Sequence, residues 1–132
     1  MDDCLGNCML ADPRLAAIVA DAIKHRHGKE YDLHAWVVMP NHVHLLFRQS
    51  LDAQLGKMIK SLKMYTANRL NEERGVKGTV WQSGYFDRLV RNEKQYVAVV
   101  NYIHENPVKA KLVLSPKSWH ASSYVNEIPV SR

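Results

Sequence analysis

The sequence has 132 residues, 46% hydrophobic and 23% charged, which is enough apolar material for one packed domain and too little chain for two. That balance excludes wholesale disorder, and no apolar run approaches the roughly 20 residues a membrane-spanning helix requires. The formal charge of +5 is unevenly placed, with five Lys/Arg against six Asp/Glu in residues 1–50 and thirteen against seven in residues 51–132. A basic half beside a near-neutral one points to a polyanion-facing surface, with a merely solubilising surface as the equal alternative.

The opening "MDDCLGNC" has neither the basic start nor the apolar core of a secretory signal, so the expected compartment is the cytoplasm. Cys4 and Cys8 are the two cysteines of the sequence, without a second pair or a nearby histidine to complete a zinc site. They are expected to be reduced, structurally incidental thiols. "DPRLAAIVADAIKHRHG" then predicts a first helix, with Asp12 as N-cap, Pro13 in the first turn and Gly28 just past the end. Leu15, Ile18, Val19, Ala22 and Ile23 fall on one stripe of that helix, the spacing of a core-facing side.

"YDLHAWVVM" and "HVHLLFRQ" read as two strands of a hairpin, broken at Pro40-Asn41 and rich in β-branched and aromatic residues. Strand period places His42, His44 and Leu46 on one face and Val43, Leu45 and Phe47 on the other. An isolated histidine in an apolar strand is usually a hydrogen-bonded core residue. Two at i and i+2 stand side by side on a rigid platform, where their imidazoles can converge on one divalent ion. The spacing is only moderately specific, since zinc enzymes and cupin-like barrels use it too.

A second helix is predicted from Leu51 to Arg74, with Leu55, Met58, Ile59, Leu62, Tyr65 and Leu70 marking its buried side and Lys57, Lys60, Lys63 and Arg69 interspersed. "RGVKGTVWQSG" ends it in a glycine-containing loop suited to mobility or ligand contact. "YFDRLV", residues 85–90, reads as a further strand. "NEKQYVAVVNYIHEN" reads as a third helix, capped by Asn92 with Gln95 three residues later, striped by Tyr96, Val99, Val100 and Ile103, and stopped at Asn106 by Pro107. On this helix Tyr102 and Asn106 are i and i+4 and share a face offset from the main stripe. Taken alone, a packed tyrosine and a helix-stop asparagine account for both. The tail "SWHASSYVNEIPVSR" has no period and is expected to be irregular, packing back through Trp119.

"MPNHVHLLF", "SLKMYTANRLN", "VWQSGYFDRLVRNE" and "YIHENPVKAKLV", in this order and at this spacing, closely resemble the single-tyrosine HUH transposases, and among them the REP-associated tyrosine transposase branch. The resemblance covers about residues 8 to 124. It implies an α+β fold, a ferredoxin-like antiparallel sheet with helices packed on it, and a single domain over residues 1–132. It also implies that His42, His44 and Asn106 hold a Mg²⁺ or Mn²⁺ ion and that Tyr102 is the nucleophile.

The chemistry suits those residue types, because a cation stabilises charge developing on a phosphate and a tyrosyl ester preserves a strand break until a DNA hydroxyl attacks it. A phenol has a pKa near 10 and needs activation at neutral pH. Lys109, Lys111, Arg88, His104 and a metal-bound water stand as alternatives for that role. The implied partner is single-stranded DNA with a hairpin, its phosphates neutralised by Lys57, Lys60, Lys63, Arg69, Arg88 and Arg91, with Trp81, Tyr85 or Trp119 available to stack on an unpaired base.

Relatives place a β-strand before the first helix, inside the sheet, whereas here eleven residues precede Asp12 and match the segment that follows that strand. The expectation is therefore a chain truncated at its N-terminus, its first strand missing. Single-tyrosine relatives act as dimers in many cases and as monomers in some of the REP-associated branch, so a homodimer is one expected state. Three functions are compatible with these residues. They are a metal-dependent DNA strand transferase acting through a 5′-phosphotyrosine, a non-catalytic single-strand DNA-binding remnant, and a two-histidine hydrolase in which Tyr102 has no role.

Overall fold

A computed structural model describes residues 8–29, 31–49, 55–81 and 93–125. Its elements are a 3-10 turn at Met9–Ala11, helix α1 (Pro13–His25), strands β1 (Tyr31–Val38) and β2 (Val43–Gln49), helices α2 (Leu55–Arg74) and α3 (Glu93–Lys109), and a 3-10 turn at Pro116–Ser118. The first helix begins as its residues dictate. The Asp12 carboxylate accepts the Arg14 N–H at 2.9 Å with Pro13 in the first turn, and this bond, with the Arg14 guanidinium, holds the carboxyl below its ordinary pKa. Arg14 also reaches Glu73 of α2 at 3.1 Å. Cys8 is disulfide-bonded, against the expectation of reduced thiols; the other cysteine, Cys4, lies outside the described residues.

The two strands pair antiparallel, with Val37 opposite His44 and Trp36 opposite Leu45, and the Met39 N–H donates to the His42 carbonyl at 2.8 Å to close the turn. A register shift between Leu33 and Ala35 inserts His34 as an extra residue. Strict alternation would turn Leu33 and Trp36 to opposite faces; the bulge lets both face α1. On that face Tyr31 stacks on Phe47 at 4.9 Å between centroids and donates its hydroxyl to the Ile23 carbonyl of α1 at 2.7 Å. Helix α3 covers the opposite face, where His44 and His34 meet Tyr102 and Tyr96. Helix α2 packs chiefly on α1. The result is an α+β domain built on an antiparallel sheet that is two-stranded among the described residues. The strand expected at 85–90, the start of the second helix and the Asn92 cap lie outside them.

Three expectations change. Pro107 does not stop the third helix but sits inside it, buried, and the helix continues to Lys109. A proline removes one N–H, here the donor to the carbonyl of Ile103, and the turn survives because the bonds beyond it are made. The Leu112 N–H reaches the Pro107 carbonyl and the Lys111 N–H reaches Val108, with Lys111 left-handed at φ 62°. On α2, Tyr65 is 49% exposed and Thr66 is fully buried in its place, donating its hydroxyl to the Leu62 carbonyl at 2.8 Å. A threonine able to satisfy its own hydroxyl within the helix can occupy a core position that a bulky phenol cannot. The described part of the glycine-containing loop is tied to α2, through Asn71 Nδ2 to the Gly78 carbonyl and Trp81 Nε1 to Thr66 Oγ1, both at 2.9 Å.

The irregular tail does pack back through Trp119. Its ring is buried and its indole N–H donates to the Val38 carbonyl at 3.0 Å. The segment then runs antiparallel along the outer edge of β1, with Val38 N–H to the Ala121 carbonyl and Ser123 N–H to the Trp36 carbonyl, each at 2.9 Å. An edge that would otherwise expose its donors and acceptors is thereby paired.

Candidate active site at the histidine pair

His42 closes the hairpin turn and His44 is the second residue of β2, so the pleat brings both rings to the face under α3. Their Nε2 atoms lie 3.0 Å apart, with ring planes at 86°. On the far side of His42, Nδ1 meets Asn41 Oδ1 at 2.7 Å, and an amide oxygen accepts only, so Nδ1 carries the proton and the Nε2 lone pair faces His44. Two imidazole nitrogens at right angles about one cation, each about 2.1 Å from it, would be about 3.0 Å apart. The pair is therefore spaced as two neighbouring ligands, with the N–H···O bond to Asn41 orienting the first as metal-binding histidines require.

Tyr102 projects from α3 onto His44, ring centroids 5.5 Å apart and edge to face, and stays 46% exposed. A hydroxyl on a half-exposed ring beside the imidazoles can meet a phosphate arriving from solvent. Lys109, seven residues on and hence on the same side of the helix, places Nζ 5.7 Å from the Tyr102 ring centre. His104 turns elsewhere, its Nε2 2.8 Å from Ser123 Oγ and its ring against Tyr124. Burial pushes its pKa down, partly opposed by Glu105. Of the groups weighed for activating the tyrosine, the structure therefore brings Lys109 beside it and takes His104 away.

Asn106 lies one turn beyond Tyr102, half-buried, with its carbonyl accepting from the Ala110 N–H. Among the described residues no group of three or more His, Cys, Asp or Glu is placed to hold a metal. The described residues offer the two imidazoles as nitrogen donors, and Asn106 lies on the Tyr102 side of α3. Lys57 and Lys60 are exposed on α2 and Lys63 is half-buried; Arg69 turns toward α1 and pairs with Glu72 at 3.1 Å. Arg88, Arg91 and Tyr85 lie outside the described residues. The other two aromatics held available for stacking are engaged structurally, Trp119 in the core and Trp81 on Thr66. Asn41 and Ser123 escaped the sequence reading, although an asparagine next to the first histidine was a usable signal for one of them.

The family model described as "Transposase IS200 like" matches residues 11–106. The chain belongs to that family. A REP-associated tyrosine transposase of Escherichia coli (strain K12) is 27% identical over 107 residues, covering 80% of this chain and 62% of the relative. A Haemophilus influenzae relative is also 27% identical, over 101 residues, covering 69% of this chain and 57% of its own. The chain thus spans about three fifths of the length of these transposases. In three dimensions it superposes on the structure of a REP-associated tyrosine transposase bound to a REP hairpin, with a TM-score of 0.65 at 21% identity over 98% of this chain and 78% of the other. At that identity the likeness establishes the fold, which is that of this transposase.

Proposed function

We propose that this IS200-family chain is a metal-dependent DNA strand transferase that cuts and rejoins single-stranded DNA carrying a hairpin. The observation that carries the reading is the convergence of Tyr102 from α3 on the His42–His44 pair from the hairpin, two elements far apart in sequence. In the proposed step the Tyr102 oxygen attacks a DNA phosphorus and the bond to the 3′ oxygen breaks. The tyrosyl proton leaves to solvent or a nearby base, the departing strand takes up a proton as its 3′-hydroxyl, and the 5′-phosphate remains on Tyr102. Attack by another 3′-hydroxyl reverses the step and joins a strand without ATP. His42, His44 and Asn106 would hold Mg²⁺ or Mn²⁺, which when bound supplies charge stabilisation to the phosphate oxygens. Lys109 contributes a fixed positive charge beside the phenol.

Single-stranded hairpin DNA is the proposed partner, supported by the hairpin bound to the structural relative and by the exposed lysines Lys57 and Lys60. Such a protein acts on the chromosome, hence in the cytoplasm at the nucleoid; among the described residues no helix is long and apolar enough to cross a membrane. Incubating the purified chain with labelled hairpin DNA and Mn²⁺, then resolving the products on a denaturing gel, tests the reading. The expected result is a covalent adduct that disappears with Tyr102→Phe or a chelator while DNA binding by Tyr102→Phe persists. Tight binding without an adduct would sink the enzymatic reading in favour of a DNA-binding remnant. Strand cleavage that survives Tyr102→Phe would mean that water is the nucleophile.

A further inference from the structure

Helices α1 and α2 leave between them a groove of about 350 Å³, on the layer opposite α3 and therefore separate from the histidine–tyrosine site. That volume lies within the range of small-ligand clefts, about 300–1,000 Å³. Ile18 and the buried Ala22 form its apolar part, and His25, Arg26, Tyr65 and Arg69 its polar part. The cations are held in place. Arg26, at the C-terminal end of α1, donates to Ser61 Oγ of α2 at 3.1 Å, and Arg69 is hydrogen-bonded to both the Glu72 carboxylate and Tyr65. Asp21, the acid of the lining, lies 3.7 Å from Lys24. Lys29 donates to His25 Nε2 at 3.1 Å, adding an ammonium near the same end. Tyr65 is half-exposed where its position in the helix would have buried it.

We propose that this groove binds one unpaired nucleotide of a DNA strand, its phosphate between Arg26 and Arg69 and its base against the Tyr65 ring. Guanidinium groups match phosphate oxygens in a planar, two-pronged manner, and a flat exposed ring beside them offers a base its face. A purely anionic ligand such as an acidic peptide would use the arginines but not the ring or the apolar patch. The proposal rests on the DNA reading above and deepens it. It assigns a contact to the flanking strand, away from the scissile phosphate, so the groove governs binding rather than the chemical step.

The test measures fluorescence anisotropy of a labelled hairpin with single-stranded flanks against the full chain, at several salt concentrations. Tyr65→Ala is expected to weaken binding about 5- to 150-fold, the usual range for one lost base stack, while Tyr65→Phe, which keeps the ring and loses only the hydroxyl bonded to Arg69, retains most of the affinity. Arg69→Gln is expected to weaken binding and to reduce the slope of log affinity on log salt by about 0.7–1. Bromodeoxyuridine in the flank should photo-crosslink to the peptide containing Tyr65. Parent-like affinity in Tyr65→Ala together with parent-like affinity and salt slope in Arg69→Gln overturns the groove while leaving the DNA reading standing. Failure of the parent chain to bind the hairpin at all removes both, and preferential binding of polyglutamate over the oligonucleotide overturns the nucleotide assignment. Because Tyr65 is half-exposed, its substitutions leave the core intact, which circular dichroism verifies.

Discussion

Replacing Ser123 by alanine tests whether the C-terminal segment is a structural part of the sheet. Ser123 Oγ accepts the Trp36 N–H at 2.9 Å, lies 3.3 Å from the Trp36 carbonyl and 2.8 Å from His104 Nε2, so one hydroxyl joins β1, the tail and α3. Trp36 is fully buried, and its amide has no route to water once the hydroxyl is gone. An unsatisfied buried donor costs about 1–3 kcal/mol. His104 is half-buried and can recover a water partner, which adds less than about 1 kcal/mol. The expected loss is therefore about 1–4 kcal/mol, a substantial share of the roughly 5–15 kcal/mol that holds a domain together. At about 3–5 °C per kcal/mol for a chain of this size, Tm falls by about 3–20 °C.

Urea unfolding gives the energy, and amide exchange at Trp36 reports the location, since its protection should fall more than that of Val37. A double-mutant cycle with His104→Ala should return a coupling of about 0.5 kcal/mol or more, as expected for direct partners. A loss below about 0.5 kcal/mol with Trp36 exchange unchanged would refute the claim that this hydroxyl closes the strand edge.

Two further outcomes follow from the geometry. Asn41→Ala removes the acceptor that orients His42 and is expected to weaken Mn²⁺ binding about 10–100-fold in a calorimetric titration, with the fold retained; unchanged affinity would refute the orienting role. His34 and His120 are both pushed below the ordinary histidine pKa of 6.5, in each case chiefly by burial, with Arg48 and His27 adding to the depression at His34 and Asp32 opposing it. The unfolded chain then binds more protons than the folded one below about pH 6.5, so stability is full above that pH and declines as pH falls toward the folded values. Tm should drop between pH 7.5 and 5.0 and drop less in the His34→Gln, His120→Gln double variant; a flat profile contradicts the burial argument.

The segments that were legible in the sequence are those governed by short-range rules. Asp12 and Pro13 start α1 because a cap bond spans two residues, and Gly75, left-handed at φ 67°, ends α2 because a single backbone position decides it. The hairpin and the shared face of His42 and His44 follow from strand period alone. Pro107 misled because proline's local cost was offset by hydrogen bonds further along the helix, and Tyr65 because its neighbour Thr66 fits the core without an unsatisfied hydroxyl.

What the sequence by itself determined was the local geometry, including the order of the described elements, the paired histidines, the tyrosine one helical turn from an asparagine, and a motif series that resembles one transposase family. Only the tertiary structure decided which surfaces meet. Tyr102 on His44, Lys109 on Tyr102 rather than His104, the tail paired to β1 across 87 positions, and Arg69 turned toward α1 instead of joining the lysines are all products of packing. The reason is physical. Caps and pleats are set by dihedral angles within a few residues, whereas the partner of a distant side chain is chosen by burying apolar area and pairing every buried donor at once, a condition that no short window of sequence contains.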